Sequence, residues 1–121
     1  MANDLAQVTI GERGPVWLVS IVGEVDMSNA HHIADEMRAA IPNQAEGVVL
    51  DLTQTSYLDS RGISLLFQMA RRLRMRGQQL AIAVATEAPI RSVLNLTGMG
   101  SVADIYSTVA EAQSKILVID H

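Results

Sequence analysis

The sequence has no cysteine, few aromatic residues and no long apolar run, and each absence excludes a class of protein. Without cysteine, disulfides, thiol chemistry and cysteine metal sites are excluded. One tryptophan, two tyrosines and one phenylalanine are too few for an aromatic platform that stacks nucleic-acid bases. The longest continuous apolar run, residues 80–85, is far shorter than the roughly 20 residues that a membrane-spanning helix needs.

The charge and composition of the chain narrow the possibilities further. A net charge of −4 on 121 residues argues against a general affinity for nucleic acid. With 49% hydrophobic and 18% charged residues, the chain is typical of a globular domain. Its first residues lack the basic and apolar segments of a signal peptide, so we expect a cytoplasmic protein without membrane or nucleic-acid partners.

Apolar periodicity predicts strands that alternate with helices. Two strands at residues 8–10 and 16–22 are joined across a short turn containing Gly14 and Pro15, which indicates a hairpin. The later patterns are helix 30–41, strand 48–52, helix 60–76, strand 80–85, helix 89–97, strand 102–106 and a helix from 109. This order predicts an α/β fold with a mixed, mostly parallel sheet of four to five strands, an N-terminal hairpin and about four helices.

The turn between strand 48–52 and the following helix is the most informative segment. Residues 53–56 are polar and typical of a loop, and helical spacing of apolar residues begins at Ile63. Asp59 or Ser60 is therefore predicted at the N-cap, where a short side-chain oxygen accepts a hydrogen bond from a free backbone N–H. The free N–H groups and the helix dipole would stabilise a phosphate on Ser60. A serine at a helix start is usually only a cap, so a functional role for Ser60 needs support from the rest of the sequence.

A second acidic turn is predicted at the same edge of the sheet. It follows strand 16–22, and Asp26 or Ser28 there is predicted to cap the next helix. Functional loops cluster at the carboxyl ends of parallel strands. We therefore expect Asp26 and Ser60 to be neighbours.

The helix after Ser60 is amphipathic. Its core-facing positions are predicted to be Ile63, Leu66, Ala70 and Leu73, with Leu65, Phe67 and Met69 on the flanks. The outward stripe consists of Arg61, Ser64, Gln68 and Arg71. A partner on this stripe would cover Ser60, and a phosphate there, about −1.5 to −2 charges, would disfavour docking by repulsion and desolvation. An ordinary solvated helix face is the alternative interpretation of the stripe.

Enzyme chemistry fits these residues poorly, so we expect no catalytic residue, cofactor or metal. A hydrolase serine would need the Gly-x-Ser-x-Gly elbow, and Leu58 occupies the position of its first glycine. His31 and His32 are adjacent on a helix and point to different faces, so they lack metal-ligand spacing. Gly98 and Gly100 follow a helix, which indicates a helix terminator rather than a dinucleotide-binding loop.

Four segments carry a resemblance to a known family. They are Gly23-Glu24-Val25-Asp26, Val49-Leu50-Asp51-Leu52, Tyr57-Leu58-Asp59-Ser60-Arg61-Gly62-Ile63 and Thr97-Gly98. Together they resemble the STAS domain, and more narrowly the stand-alone bacterial anti-sigma factor antagonists. The Asp-Ser-x-Gly element is the most specific of these features. The resemblance covers about residues 5–115 and implies one STAS domain spanning 1–121.

The resemblance implies a partner-switching regulator of transcription. Ser60 matches the serine that is phosphorylated by a partner acting both as serine kinase and as anti-sigma factor. Only the unphosphorylated form binds this partner and frees the sigma factor, and a serine phosphatase resets the switch. Asp26 and Asp59 match acidic positions flanking the phosphoacceptor, and Gly62 belongs to the same motif.

Two residues depart from the family pattern, and one alternative function stays open. Arg61 stands where the family usually carries a small residue, and Met99 replaces a common leucine. We expect Arg61 to alter kinase recognition or partner choice, whereas the phosphoacceptor Ser60 itself is retained. The alternative is a constitutive STAS interaction subunit of a lipid-transport or signalling assembly, in which the serine is never phosphorylated. The intact Ser60 with its flanking acids favours the switch.

Overall fold

A six-stranded mixed sheet forms the centre of the molecule in the computed structural model, which describes residues 5–119. The strands are β1 Ala6–Arg13, β2 Val16–Val25, β3 Gly47–Asp51, β4 Thr55–Leu58, β5 Gln79–Ala83 and β6 Asp104–Tyr106. The helices are α1 Ala30–Ala40, α2 Ser60–Met75, α3 Pro89–Leu96 and α4 Val109–Ile119, with a short 3-10 helix at Met99–Ser101. None of the helices in the described range is long and apolar enough to cross a membrane.

The sheet order is β1-β2-β3-β5-β6, and only the β1–β2 pair is antiparallel. The predicted α/β class and N-terminal hairpin are therefore confirmed. Gly14 has a φ of 67° in the hairpin turn, a conformation that costs glycine little. The strands of this hairpin are longer than the apolar pattern predicted, since β1 extends beyond residues 8–10 at both ends and β2 continues past residue 22 to Val25.

Strand β4 is the element that the sequence did not predict, and it brings the strand count to six instead of four to five. It runs parallel to the end of β2, where Gly23 pairs with Thr55 and Val25 pairs with Leu58. Thr55 is buried, and its hydroxyl donates a 2.7 Å hydrogen bond to the carbonyl of Ile21. Thr55, a polar residue that looked typical of a loop, is thus hydrogen-bonded inside the sheet.

The segment between β3 and β4 is tied to the sheet by backbone hydrogen bonds. Leu52 N–H donates to the Ala83 carbonyl at 2.8 Å, and Gly23 N–H donates to the Gln54 carbonyl at 3.0 Å. Strand β2 pairs with β3 along its first half and with β4 along its last residues. It therefore holds the strands on both sides of this connecting segment.

The core lies on both faces of the sheet. Alternation along β3 sends Val48 and Leu50 to one face and Val49 to the other, and all three are fully buried. The larger cluster includes buried side chains of α1, α2 and α3. The smaller cluster packs Ala112 and Ile116 of α4 against the opposite face.

Helix α2 buries a wider face than predicted, because it packs against α1 as well as the sheet. Leu65 and Met69, predicted at the flanks, are buried, whereas Ile63 is only partly buried. The helix ends as the sequence indicated, at a glycine in the left-handed conformation. Gly77 has a φ of 74°, and Gln78 N–H donates to the Leu73 carbonyl at 2.8 Å, which forms a Schellman motif.

Candidate functional site

Asp59, and not Ser60, is the N-cap of α2. Its Oδ1 accepts hydrogen bonds from the backbone N–H of Arg61 at 2.9 Å and of Gly62 at 3.0 Å. Ser60 is the first residue of the helix and is exposed. Within residues 5–119 its hydroxyl makes no hydrogen bond. The sequence left both residues open as caps, and the structure assigns the capping role to Asp59.

The expectation that free N–H groups and the helix dipole would stabilise a phosphate on Ser60 stays a prediction, and Asp59 competes for two of the N–H groups concerned. The N–H groups of Arg61 and Gly62 already donate to Asp59. A phosphate on Ser60 would also lie beside the carboxyl group of its chain neighbour. Repulsion between these like charges would oppose the attraction of a phosphate to the helix N-terminus.

Asp59 also joins the two loops that were predicted to be neighbours. Its Oδ2 accepts a 3.1 Å hydrogen bond from the backbone N–H of Met27, the residue after Asp26. Its own N–H donates to the carbonyl of Val25, the last residue of β2, at 3.1 Å. One residue therefore fixes the start of α2 against the β2–α1 loop.

Asp26 organises the β2–α1 loop but does not cap α1. Its Oδ1 accepts hydrogen bonds from the Ser28 hydroxyl at 2.5 Å and the Ser28 N–H at 2.8 Å. These bonds, the hydroxyl contributing most, favour the carboxylate and lower the pKa of Asp26 below its ordinary value. The N-cap position of α1 belongs to Asn29, so the predicted cap at Asp26 or Ser28 was wrong.

Asn29 is a structural residue of the site that the sequence analysis missed. Its side chain is 1% exposed, and its Nδ2 donates to the Glu24 carbonyl at 2.9 Å. Its Oδ1 accepts from the Asp26 N–H at 2.9 Å. The amide side chain thus holds both ends of the loop, because it satisfies one donor and one acceptor of the backbone. An asparagine directly before an apolar helical pattern was the available signal.

Gly62 lies where the first turn of α2 approaches the ends of β2 and β4. A Cβ atom on Gly62 would lie 3.1 Å from Leu58 Cδ2 and 3.2 Å from both Val25 Cγ1 and the Val25 carbonyl oxygen. These distances are shorter than ordinary carbon contacts of about 3.5–4.0 Å. The lack of a side chain therefore lets the turn at the start of α2 lie close to the sheet.

All four residues of the predicted outward stripe are exposed. They are Arg61, Ser64, Gln68 and Arg71. Three of them, all but Arg71, line a hollow of about 290 Å³ between α1 and α2, near Met27 and His31. Met27 is 70% exposed and was not predicted as part of this surface. In the part of the chain that the structure describes, no group of three or more acidic, histidine or cysteine residues could hold a metal ion.

A sequence model of the family described as the STAS domain matches residues 7–112, most of the chain. The chain belongs to the STAS domain family. The family predicted from the sequence is therefore confirmed.

Known relatives of this STAS domain share its length and fold. The anti-sigma F factor antagonist of Paenibacillus polymyxa is 23% identical over 114 residues, which are 93% of this chain and 97% of that protein. The crystal structure of an anti-sigma factor antagonist from Mycobacterium paratuberculosis has a TM-score of 0.83 at 23% identity, covering 95% of this chain and 97% of that one. The Bacillus cell fate determinant SpoIIAA in its phosphorylated form has a TM-score of 0.67 at 19% identity, covering 91% and 99%. At these identities the structural likenesses show the fold.

Proposed function

We propose that this STAS domain is an anti-sigma factor antagonist controlled by phosphorylation of Ser60. In the proposed cycle, the unphosphorylated protein binds an anti-sigma factor that is also a serine kinase, and thereby frees a sigma factor. Phosphate on Ser60 ends the interaction, and a serine phosphatase restores it. The observation that carries the proposal is the exposed, unbonded Ser60 hydroxyl at the start of α2. Relatives that match over most of their length are named as anti-sigma factor antagonists, which supports the antagonist part of the proposal.

Ser60 is a better phosphoacceptor than the neighbouring hydroxyl groups. The Thr55 hydroxyl is buried in a hydrogen bond, and the Ser56 hydroxyl donates to the Gly23 carbonyl at 3.3 Å. Ser64 is also exposed, and its hydroxyl makes no hydrogen bond within residues 5–119, but it lies one turn inside α2, where the helical backbone is less accessible to a kinase than at the helix start. A kinase therefore reaches the Ser60 hydroxyl without breaking an existing bond.

The proposed switch works by local charge rather than by refolding. A phosphate adds about −1.5 to −2 charges next to the Asp59 carboxyl group. Asp59 already occupies the N–H groups of Arg61 and Gly62, so a docked partner would have to bury this charge with the Arg61 side chain as the one cation in the first turn of α2. Burying a charge without a matched cation is costly, and the complex should dissociate.

Phosphorylation by the cognate kinase tests the acceptor. Incubation with the kinase and ATP should add one phosphate, which intact-mass and peptide mass spectrometry should map to Ser60. Ser60→Ala should remain unlabelled, and Ser64→Ala, the matched control one turn along α2, should be labelled like the wild type. Asp26→Asn should slow labelling if that carboxyl group helps to position the hydroxyl. Labelling of Ser60→Ala at the wild-type level would refute the assignment.

Calorimetry against the anti-sigma factor tests the switch itself. Ser60→Ala should bind like the wild type, whereas Ser60→Asp should bind about five- to 150-fold more weakly, or about 1–3 kcal/mol. Equal affinities for all three proteins would place the docking surface elsewhere. That result would favour the alternative, a constitutive STAS subunit that is not phosphorylated.

A further inference from the structure

The basic residues of this acidic chain are concentrated on one helix. Five of its nine lysine and arginine residues are Arg61, Arg71, Arg72, Arg74 and Arg76. No aspartate or glutamate occurs between Asp59 and Glu87. Within residues 5–119, none of the five arginines forms an ion pair. The helix dipole accounts for cations in the last turn of α2, but it does not account for the absence of acidic partners.

Some of these arginines border an apolar groove. The groove is a hollow of about 160 Å³ between the C-terminal halves of α1 and α2. Its apolar lining is contributed by both helices and consists of Ala34, Met37, Ile41, Leu65, Met69 and Leu73. Its charged border consists of Arg38, Arg72 and Arg76. Arg38 is already bonded to Asp35, so Arg72 and Arg76 carry the unmatched charge.

We propose that this groove binds an acidic amphipathic helix of a protein partner. The apolar lining suits aliphatic side chains at helical spacing, and the arginines suit carboxylates on either side of them. The groove follows α1 from Ala34 to Ile41, about 10 Å along its axis, which matches about two turns of a bound helix.

The geometry of the groove argues against other occupants. Both walls are helices whose backbone groups are bonded internally, so they offer no edge to a bound β-strand. The apolar lining residues are buried at the bottom of a concave surface, where a flat bilayer does not reach. The concentration of unpaired arginines selects a partner segment rich in aspartate and glutamate.

The groove shares Ala34, Leu65 and Gln68 with the hollow beside Arg61 and Ser64, but its arginine border is far from Ser60. Arg72 lies 12 residues beyond Ser60 on α2, a distance of about 18 Å along the helix axis. That distance exceeds the Debye length of about 8 Å at physiological ionic strength. Ser60→Asp should therefore leave binding in the groove unchanged, so this proposal can fail or succeed independently of the proposed function.

Fluorescence anisotropy with a synthetic peptide tests the proposal. The probe is a labelled peptide of about 16 residues with leucines at i, i+3, i+4 and i+7 and glutamates at most other positions. The full-length protein should bind it, more weakly as salt increases. A peptide of the same composition in scrambled order, and one with lysine in place of glutamate, should bind at least about tenfold more weakly.

Two matched charge reversals locate the site. Arg72→Glu, in the border of the groove, should weaken peptide binding about tenfold. Arg74→Glu changes the same net charge on the same exposed turn but lies outside the groove, so it should change binding less than about threefold. Thermal melts should show both variants folded.

Three results would overturn the proposal. Equal losses for the two arginine variants would show a general charge effect, and equal binding of the scrambled peptide would show that the apolar spacing is not recognised. Binding to phosphatidylglycerol vesicles without binding to the peptide would assign the arginines to a membrane surface.

Discussion

Replacing Gly62 with leucine tests the close packing of the turn at the start of α2. The Cβ atom alone would meet Leu58 Cδ2 at 3.1 Å and the Val25 carbonyl oxygen at 3.2 Å, and a leucine adds three more carbons. Leucine gains about 0.5–1 kcal/mol of helix propensity over glycine, but overpacking of this kind costs about 1–3 kcal/mol. The Val25 carbonyl also accepts the N–H of Asp59, so it cannot move without disturbing the cap.

Because the gain in helix propensity offsets part of the overpacking cost, the expected net loss for Gly62→Leu is about 0.5–2 kcal/mol of unfolding free energy. At this chain length, 1 kcal/mol corresponds to about 3–5 °C, so Tm should fall by about 2–10 °C in a circular-dichroism melt. Urea unfolding with an unchanged m-value should give the same free-energy difference. Gly100→Leu is the matched control, because a Cβ there meets nothing within 4 Å and its φ is not positive. A Tm of Gly62→Leu equal to or above that of the wild type would refute the packing argument.

Two further predictions concern the acidic residues of the site. Asp59→Ala should lower the unfolding free energy by about 1–2 kcal/mol in urea titration, because three N–H groups lose their acceptor. Ser60→Ala should change the unfolding free energy by less than about 0.5 kcal/mol. Equal losses for the two variants would mean that Ser60 shares the capping role. The lowered pKa of Asp26 means that its stabilising carboxylate is present at neutral pH and is lost as pH falls through that pKa, below about 3.9. The Tm difference between wild type and Asp26→Asn should therefore shrink between pH 5 and pH 2, and a constant difference would contradict the role of the Ser28 bonds.

Local signals predicted much of the fold because they act within a few residues. Gly77 ends α2, and Pro89 begins α3, as their conformational preferences require. Thr108 and Glu111 form hydrogen bonds at the start of α4, as the capping pattern indicated. Strand β4 escaped prediction because its stability depends on pairing with β2, about 30 residues earlier in the chain.

The sequence predicted several residues of the candidate site but not the hydrogen bonds that they make. The pattern identified the acidic turn before α2, but only the three-dimensional approach of the β2–α1 loop shows why Asp59 is the cap. Its second oxygen bonds Met27, 32 residues away in the chain. The groove between α1 and α2 depends on how the two helices pack, and periodicity within either helix carries no information on it.

The connection between β3 and β4 has a consequence for how sequences of this fold diverge. Residues 52–54 are pinned by backbone bonds to both β5 and β2, and Thr55 is fixed by its hydroxyl to Ile21. Inserting or deleting one residue there would move Ser60 off the start of α2 or break this register. The hairpin turn at Gly14 and Pro15 is exposed. We therefore expect length variation among homologues to accumulate at the hairpin turn, while the count of residues from Asp51 to Ser60 stays constant.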